Sequence, residues 1–167
     1  AHTAAVIHQA RAEQPNNLLF DNGDLIQGSA LGDWVAEQGV EYLEKNTHPV
    51  MAALNYLQYD AGNLGNHEFN FGLDFLQQTL KQAQFPYVSS NVFYAQQAEL
   101  SGMRTENWEN PLVAPYTMLE RTFKDTSGAE HTLKIGVIGF LPPQIMIWDA
   151  MHLNGEMYVR DMVAAAH

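Results

Sequence analysis

The chain has 167 residues, 46% of them apolar and 16% charged, with 19 acidic against 8 basic residues and no cysteine. That length suits one domain with a buried core, and that composition argues against disorder. A net charge of −11 with no basic stripe argues against a nucleic-acid polymer as partner, no apolar run is long enough to span a membrane, and the absence of thiols removes disulfides, thiolate metal sites and cysteine nucleophiles.

Residues 3–13 are expected to form a helix with Val6, Ile7 and Ala10 on one face, stopped by Pro15. Leu18-Leu19-Phe20 reads as a buried strand that delivers Asp21-Asn22-Gly23-Asp24 at its C-terminal end. A helix follows over 30–38. Another opens at Thr47-His48-Pro49, with His48 contributing to the cap and Val50, Leu54 and Leu57 along one face.

A second short strand is expected at 59–61, then a tight polar loop from Gly62 to Glu68. The helix over 72–83 buries Leu73, Leu76 and Leu80. A strand restarts at Phe85 and runs towards Val92, and the polar stretch 94–110 reads as a long surface loop. Strands at 113–123 and 132–140 are joined by the turn Lys124-Asp125-Thr126-Ser127-Gly128, and another element begins at Tyr158. Helices alternating with buried strands define a layered α/β domain, with no internal repeat.

Two loops carry the residues capable of chemistry, and each follows an apolar run. One holds Gly23-Asp24 and Gln27-Gly28-Ser29; the other holds Gly65-Asn66-His67-Glu68. In layered α/β folds ligands gather at the carboxyl ends of strands, so both loops are expected to face one crevice. Asp24 offers two carboxylate oxygens, enough to bridge two cations, and Asn66 offers a neutral carbonyl oxygen that adds no negative charge beside a phosphate. His67 is a candidate metal ligand or general acid. With no thiols, the donor set suits manganese, magnesium, cobalt or zinc. Taken singly, Asp24 is equally a helix cap, Asn66 a turn residue and His67 a solvated side chain. The combination, Gly-Asp followed by Gly-Asn-His-Glu after the next strand, carries the assignment.

Gly23-Asp24 and Gly65-Asn66-His67-Glu68 resemble the second and third blocks of the calcineurin-like metallophosphoesterases. Three longer stretches, 21–29, 62–73 and 138–146, resemble the bacterial bifunctional 2',3'-cyclic-nucleotide 2'-phosphodiesterase/3'-nucleotidases of the 5'-nucleotidase superfamily. The resemblance implies a layered αββα sandwich. It also implies two divalent metal ions roughly 3.5–4 Å apart that activate water for in-line attack on phosphorus. On it, Asp24 bridges the metals, Asn66 binds the second, and His67 sits over the phosphate to stabilise the transition state or protonate the leaving oxygen. The substrate implied is a small nucleotide, opened from a 2',3'-cyclic diester to a 3'-nucleotide and then cleaved to nucleoside and phosphate. A periplasmic location is implied as well.

The family's first Asp-x-His block and its later His blocks do not occur here, so the chain is expected to be a partial domain spanning 1–167, without the C-terminal nucleotidase domain. Weak or absent turnover and self-association through uncovered apolar edges follow as expectations. Related 5'-nucleotidases carry Asp where this chain has Asn70; Asn70 is a candidate to contact the motif His or the substrate. His2 and His167 make poor metal ligands. His8, His48, His131 and His152 are read as structural or solvated, and Trp148 with the Pro142-Pro143 corner as packing. The alternative to an enzyme is an α/β module that only captures nucleotide or phosphate.

Overall fold

The computed structural model describes residues 2–95 and 110–167. At its centre lies a parallel sheet ordered β1 (Phe20–Asp21), β2 (Ala61–Asn63) and β3 (Tyr87–Val88). Phe20 faces Ala61 across the first ladder, and Gly62 faces Tyr87 across the second. Parallel neighbours need crossovers, and helices supply them. α1 (His2–Glu13) precedes β1. Between β1 and β2 run α2 (Ala30–Glu37), α3 (Val40–Leu43) and α4 (Pro49–Tyr56); between β2 and β3 runs α5 (Leu73–Leu80). The α/β reading therefore holds, with both chemistry-bearing loops leaving the C-terminal ends of neighbouring strands.

The core joins Ile26 and Val35 to Met51 and Leu54 of α4, to Leu73, Phe75 and Leu76 of α5, and to Tyr87 of β3. Leu141, Ile145, Leu153 and Met157 close it from the C-terminal side. β4 (Val92–Tyr94) pairs antiparallel with β7 (Met157–Val159). The predicted hairpin forms as β5 (Tyr116–Lys124) and β6 (Glu130–Ile138), paired over nine residues each. Asn91 ties these parts together: its side chain accepts from Leu141 N (2.9 Å) and donates to the carbonyls of Leu141 (2.7 Å) and Arg160 (2.9 Å).

Several expectations need correction. The run 18–20 is not a buried strand. Leu19 N is taken by the Asp60 carboxylate (2.8 Å), so the ladder starts only at Phe20, and alternation then buries Asp21 and leaves Phe20 45% exposed. The second strand lies two residues later than expected. α4 ends through Gln58 in the left-handed region (φ 53°), with Arg11 donating to the Gln58 carbonyl (2.9 Å), and residues 59–60 are spent returning to the sheet. The segment from Phe85 to Val92 is two strands rather than one. α1 forms as expected but buries no residue, and Trp148, expected to pack, is 60% exposed. Of the expected surface loop at 94–110, residues 96–109 lie outside the described residues. No helix among the described residues is long and apolar enough to cross a membrane.

Candidate active site

The two loops meet through one buried carboxylate. Glu68 lies at the end of a single 3-10 turn, Asn66–Glu68, and is 2% exposed. Its Oε2 accepts from Asp24 N (2.6 Å) and Gly65 N (2.7 Å), and its Oε1 from Leu25 N (2.7 Å) and Ile26 N (3.3 Å). A carboxylate is all acceptor, so it satisfies amides of both loops that would otherwise lie unpaired beside the core. Burial pushes the Glu68 carboxyl upward, and the four amides oppose that by favouring the charged form.

Approach this close requires glycine on each side. A Cβ at Gly23 (φ 86°) would lie 2.1 Å from Gly65 N, and one at Gly65 would lie 2.3 Å from Asp24 Oδ1. Asp24 itself takes the left-handed conformation, φ 65°. Among residues with a side chain, Asp and Asn accept this region best, and such strain gathers at functional sites. The strand end adds to the arrangement, because Asp21, pushed upward by burial, accepts from Gly23 N (3.1 Å) and from the Tyr87 hydroxyl (3.1 Å).

Asp24 and His67, 43 positions apart, are thereby placed in contact: His67 N donates to Asp24 Oδ1 at 3.0 Å. The other Asp24 oxygen and the Asn66 amide have no hydrogen-bond partner among the described residues, and Asp24 lies exposed. Two oxygen donors on adjoining loops, unpartnered among the described residues, have the chemistry that suits a hard divalent cation. No group of three or more His, Asp or Glu side chains able to hold a metal occurs among the described residues.

His67 is exposed, and its Nδ1 lies 2.7 Å from Asn70 Oδ1. The chain bends directly after the 3-10 turn, and Asn70 lies just past that bend. The Asn70 amide nitrogen in turn donates to Asp149 Oδ1 at 2.7 Å. Both ends of the Asn70 side chain are thus engaged. Asp149 sits at the corner between two short helical turns, Ile145–Trp148 and Ala150–Leu153.

Sequence reasoning named Asp24, Asn66, His67 and Asn70, which the fold gathers on adjoining loops. It gave no role to Glu68, although a carboxylate inside a glycine-flanked loop was a visible signal. Asp149 had no local signal. Of the histidines set aside, His48 is fully buried and its Nδ1 accepts from Val50 N (3.2 Å) at the start of α4, while His131 pairs with Asp125 (2.8 Å) in the β5–β6 turn. His167 is an exposed residue at the end of the helix Met162–Ala166.

Comparison with known proteins agrees with this geometry. The family model for calcineurin-like phosphoesterases matches residues 1–147. The chain is 49% identical over 164 residues to the 2',3'-cyclic-nucleotide 2'-phosphodiesterase/3'-nucleotidase of Salmonella typhimurium, covering 98% of this chain and 23% of that protein. It is 47% identical over 163 residues to the protein of the same description from Haemophilus influenzae, again covering 98% of this chain and 23% of the relative. The crystal structure of the calcineurin-like phosphoesterase YfkN from Bacillus subtilis superposes with a TM-score of 0.83 at 43% identity, over 98% of this chain and 46% of that one. The chain therefore spans about a quarter of the length of these two curated relatives.

Proposed function

The chain belongs to the calcineurin-like phosphoesterase family, and on that premise we propose that it supplies part of the catalytic centre of a metal-dependent hydrolase of nucleotide phosphoesters. The substrate class is a 2',3'-cyclic nucleotide, opened to the 3'-nucleotide and then cleaved to nucleoside and phosphate. The observation that carries this reading is the Glu68 staple, which sets Asp24 and the Asn66–His67 backbone against one another at the mouth of the sheet.

In this reading Asp24 and Asn66 hold divalent cations. Bound there, such ions polarise phosphoryl oxygens and lower the pKa of water. The chain's own contribution is to orient and to move a proton. The hydrogen bond from His67 N fixes the Asp24 carboxylate, while Nε2 of His67 has no partner among the described residues and is the nitrogen left to face substrate. In ring opening, water adds to phosphorus and releases a proton to solvent, and the P–O2' bond breaks. O2' takes a proton from Nε2, which has gained it from solvent while Nδ1 keeps its own hydrogen. In the second step the P–O3' bond breaks and O3' takes the proton in the same way. General-acid assistance of this kind contributes roughly 100- to 10,000-fold. A periplasmic location is proposed with this reading.

Two measurements test it. Manganese added to the labelled chain is expected to broaden backbone resonances of residues 22–29 and 65–70 selectively, and Asp24→Asn to abolish the effect. Conversion of 2',3'-cyclic AMP to 3'-AMP and adenosine is expected to be chelator-sensitive and, in this short chain, weak. Broadening that ignores Asp24 removes the metal assignment. Tight nucleotide binding with chelator present, and no turnover, replaces the enzyme with a non-catalytic nucleotide-binding module.

A further inference from the structure

We propose that Asp149 is a positioning residue for His67, acting through the Asn70 amide so that the ring keeps its proton on Nδ1 and presents Nε2. The inference rests on His67 being the group that faces the phosphate.

A carboxylate accepts hydrogen bonds and donates none, so Asp149 admits only the NH₂ end of Asn70 at 2.7 Å. That fixes the amide: flipping it would press its carbonyl oxygen against the carboxylate. The Asn70 oxygen is therefore the atom 2.7 Å from His67 Nδ1, and an oxygen acceptor there requires Nδ1 to carry hydrogen. With Asn70 alone, the amide could flip to match whichever imidazole tautomer is present, and the ring would be free to exchange them. Asp149 removes that freedom from 79 residues away in sequence. A neutral amide between the carboxylate and the imidazole transmits orientation while keeping full negative charge one residue farther from an anionic substrate.

Among the described residues, nothing else accounts for the placement of this side chain. The backbone of Asp149 forms the corner by itself, its N–H donating to Ile145 O (2.9 Å) and its carbonyl accepting from His152 N (2.9 Å) and Leu153 N (3.1 Å). Its carboxylate has one partner among the described residues, Asn70, and Asp149 is only half-buried. Asn70 is held in turn by its position after the fully buried Phe69 and before Gly72, whose positive φ (84°) turns the chain into α5.

The experiment is long-range proton–nitrogen correlation NMR of the imidazole-labelled chain at about pH 8, above the ordinary imidazole pKa of roughly 6.5. The native chain is expected to show His67 as a single Nδ1–H tautomer. Asp149→Ala should give a mixture of tautomers with unchanged backbone shifts in β1, β2 and α5. The exchange N70D/D149N supplies the decisive arm. Asn70→Asp alone sets two carboxylates face to face and should disturb the loop. With Asp149→Asn added, the new residue 149 donates its amide to the carboxylate at 70, and the Nδ1–H tautomer should return. In the assay with 2',3'-cyclic AMP, Asp149→Ala should lower kcat about tenfold and leave KM within about twofold, a factor of ten in rate being ~1.4 kcal/mol of barrier.

A native-like single tautomer in Asp149→Ala, or failure of the exchange to restore it, overturns the proposal. The spectroscopic result stands apart from turnover. A chain that shows the tautomer lock but binds nucleotide tightly with chelator present and never hydrolyses the diester would refute the enzymatic reading and leave the positioning intact.

Discussion

Glu68 serves four amides from two loops, and that count decides what its replacement does. Glu68→Gln keeps the shape but turns one of the two acceptor oxygens into a donor. Two largely shielded N–H groups, either Asp24 and Gly65 or Leu25 and Ile26, then face an NH₂ group. Each unsatisfied buried group costs roughly 1–3 kcal/mol, so the variant should lose about 2–4 kcal/mol in urea unfolding, with amide shifts concentrated at residues 24–26 and 65. A loss below about 0.5 kcal/mol would show that the staple is dispensable. Asp24→Asn makes the opposite case. Asn tolerates a φ of 65° and keeps an oxygen for the His67 amide, so stability should change by less than about 1 kcal/mol while manganese-dependent broadening disappears. Together the two variants separate what builds the site from what the site is proposed to bind.

Among the elements, α4 starts on a buried residue whose ionisation bears on stability. His48 is fully buried against Phe75 with ring centroids 5.9 Å apart, caps the helix through Nδ1, and leaves Nε2 without a hydrogen-bond partner among the described residues. Burial lowers its pKa from 6.5 to about 4. The unfolded chain therefore takes up this proton at higher pH than the folded one. The contribution to stability is whole above pH 6.5 and is lost as pH falls towards 4, by on the order of 3 kcal/mol. Asp21 and Glu68, both raised by burial, act in the other direction: they favour the fold on acidification until the unfolded carboxyls are protonated too. The native slope is thus a sum. His48→Asn, which keeps a capping acceptor, isolates one part of it. The stability difference between native chain and variant should shrink by roughly 3 kcal/mol between pH 7 and pH 4; a difference independent of pH would show that the imidazole titrates alike in the folded and the unfolded chain.

At the scale of the whole molecule, what the sequence made legible was local. Gly23-Asp24 and Gly65-Asn66-His67-Glu68 could be read because tight turns and metal donors leave a mark on adjacent residues. The helices at α4 and α5 could be read because one face of each repeats at helical spacing. Asp149 could not, since its partner lies 79 positions away and its own neighbours are ordinary. Burial of the apolar run at 18–20 was misjudged for a related reason: hydrophobicity marks what seeks cover, while cover depends on what packs there. The hairpin shows the same gap. One face of β5–β6 exposes Tyr116, Met118 and Ile138, with Tyr116 directly opposite Ile138, while α1 buries nothing and β1 forms an edge of the described parallel sheet. Contiguous uncovered apolar residues beside an open strand edge favour association, and a net charge of −11 opposes it. Because that repulsion is screened with a Debye length of about 8 Å at physiological salt and about 3 Å at 1 M, self-association of this chain should strengthen as salt rises. Sedimentation at roughly 100 µM in low and high salt checks this, the regime being that of a weak contact. Pairing Tyr116→Glu with Ile138→Lys places opposite charges across the strands where the apolar pair stood, and should keep the chain monomeric at both ionic strengths. Association that persists in that double variant would move the contact away from the hairpin, to α1 or the β1 edge.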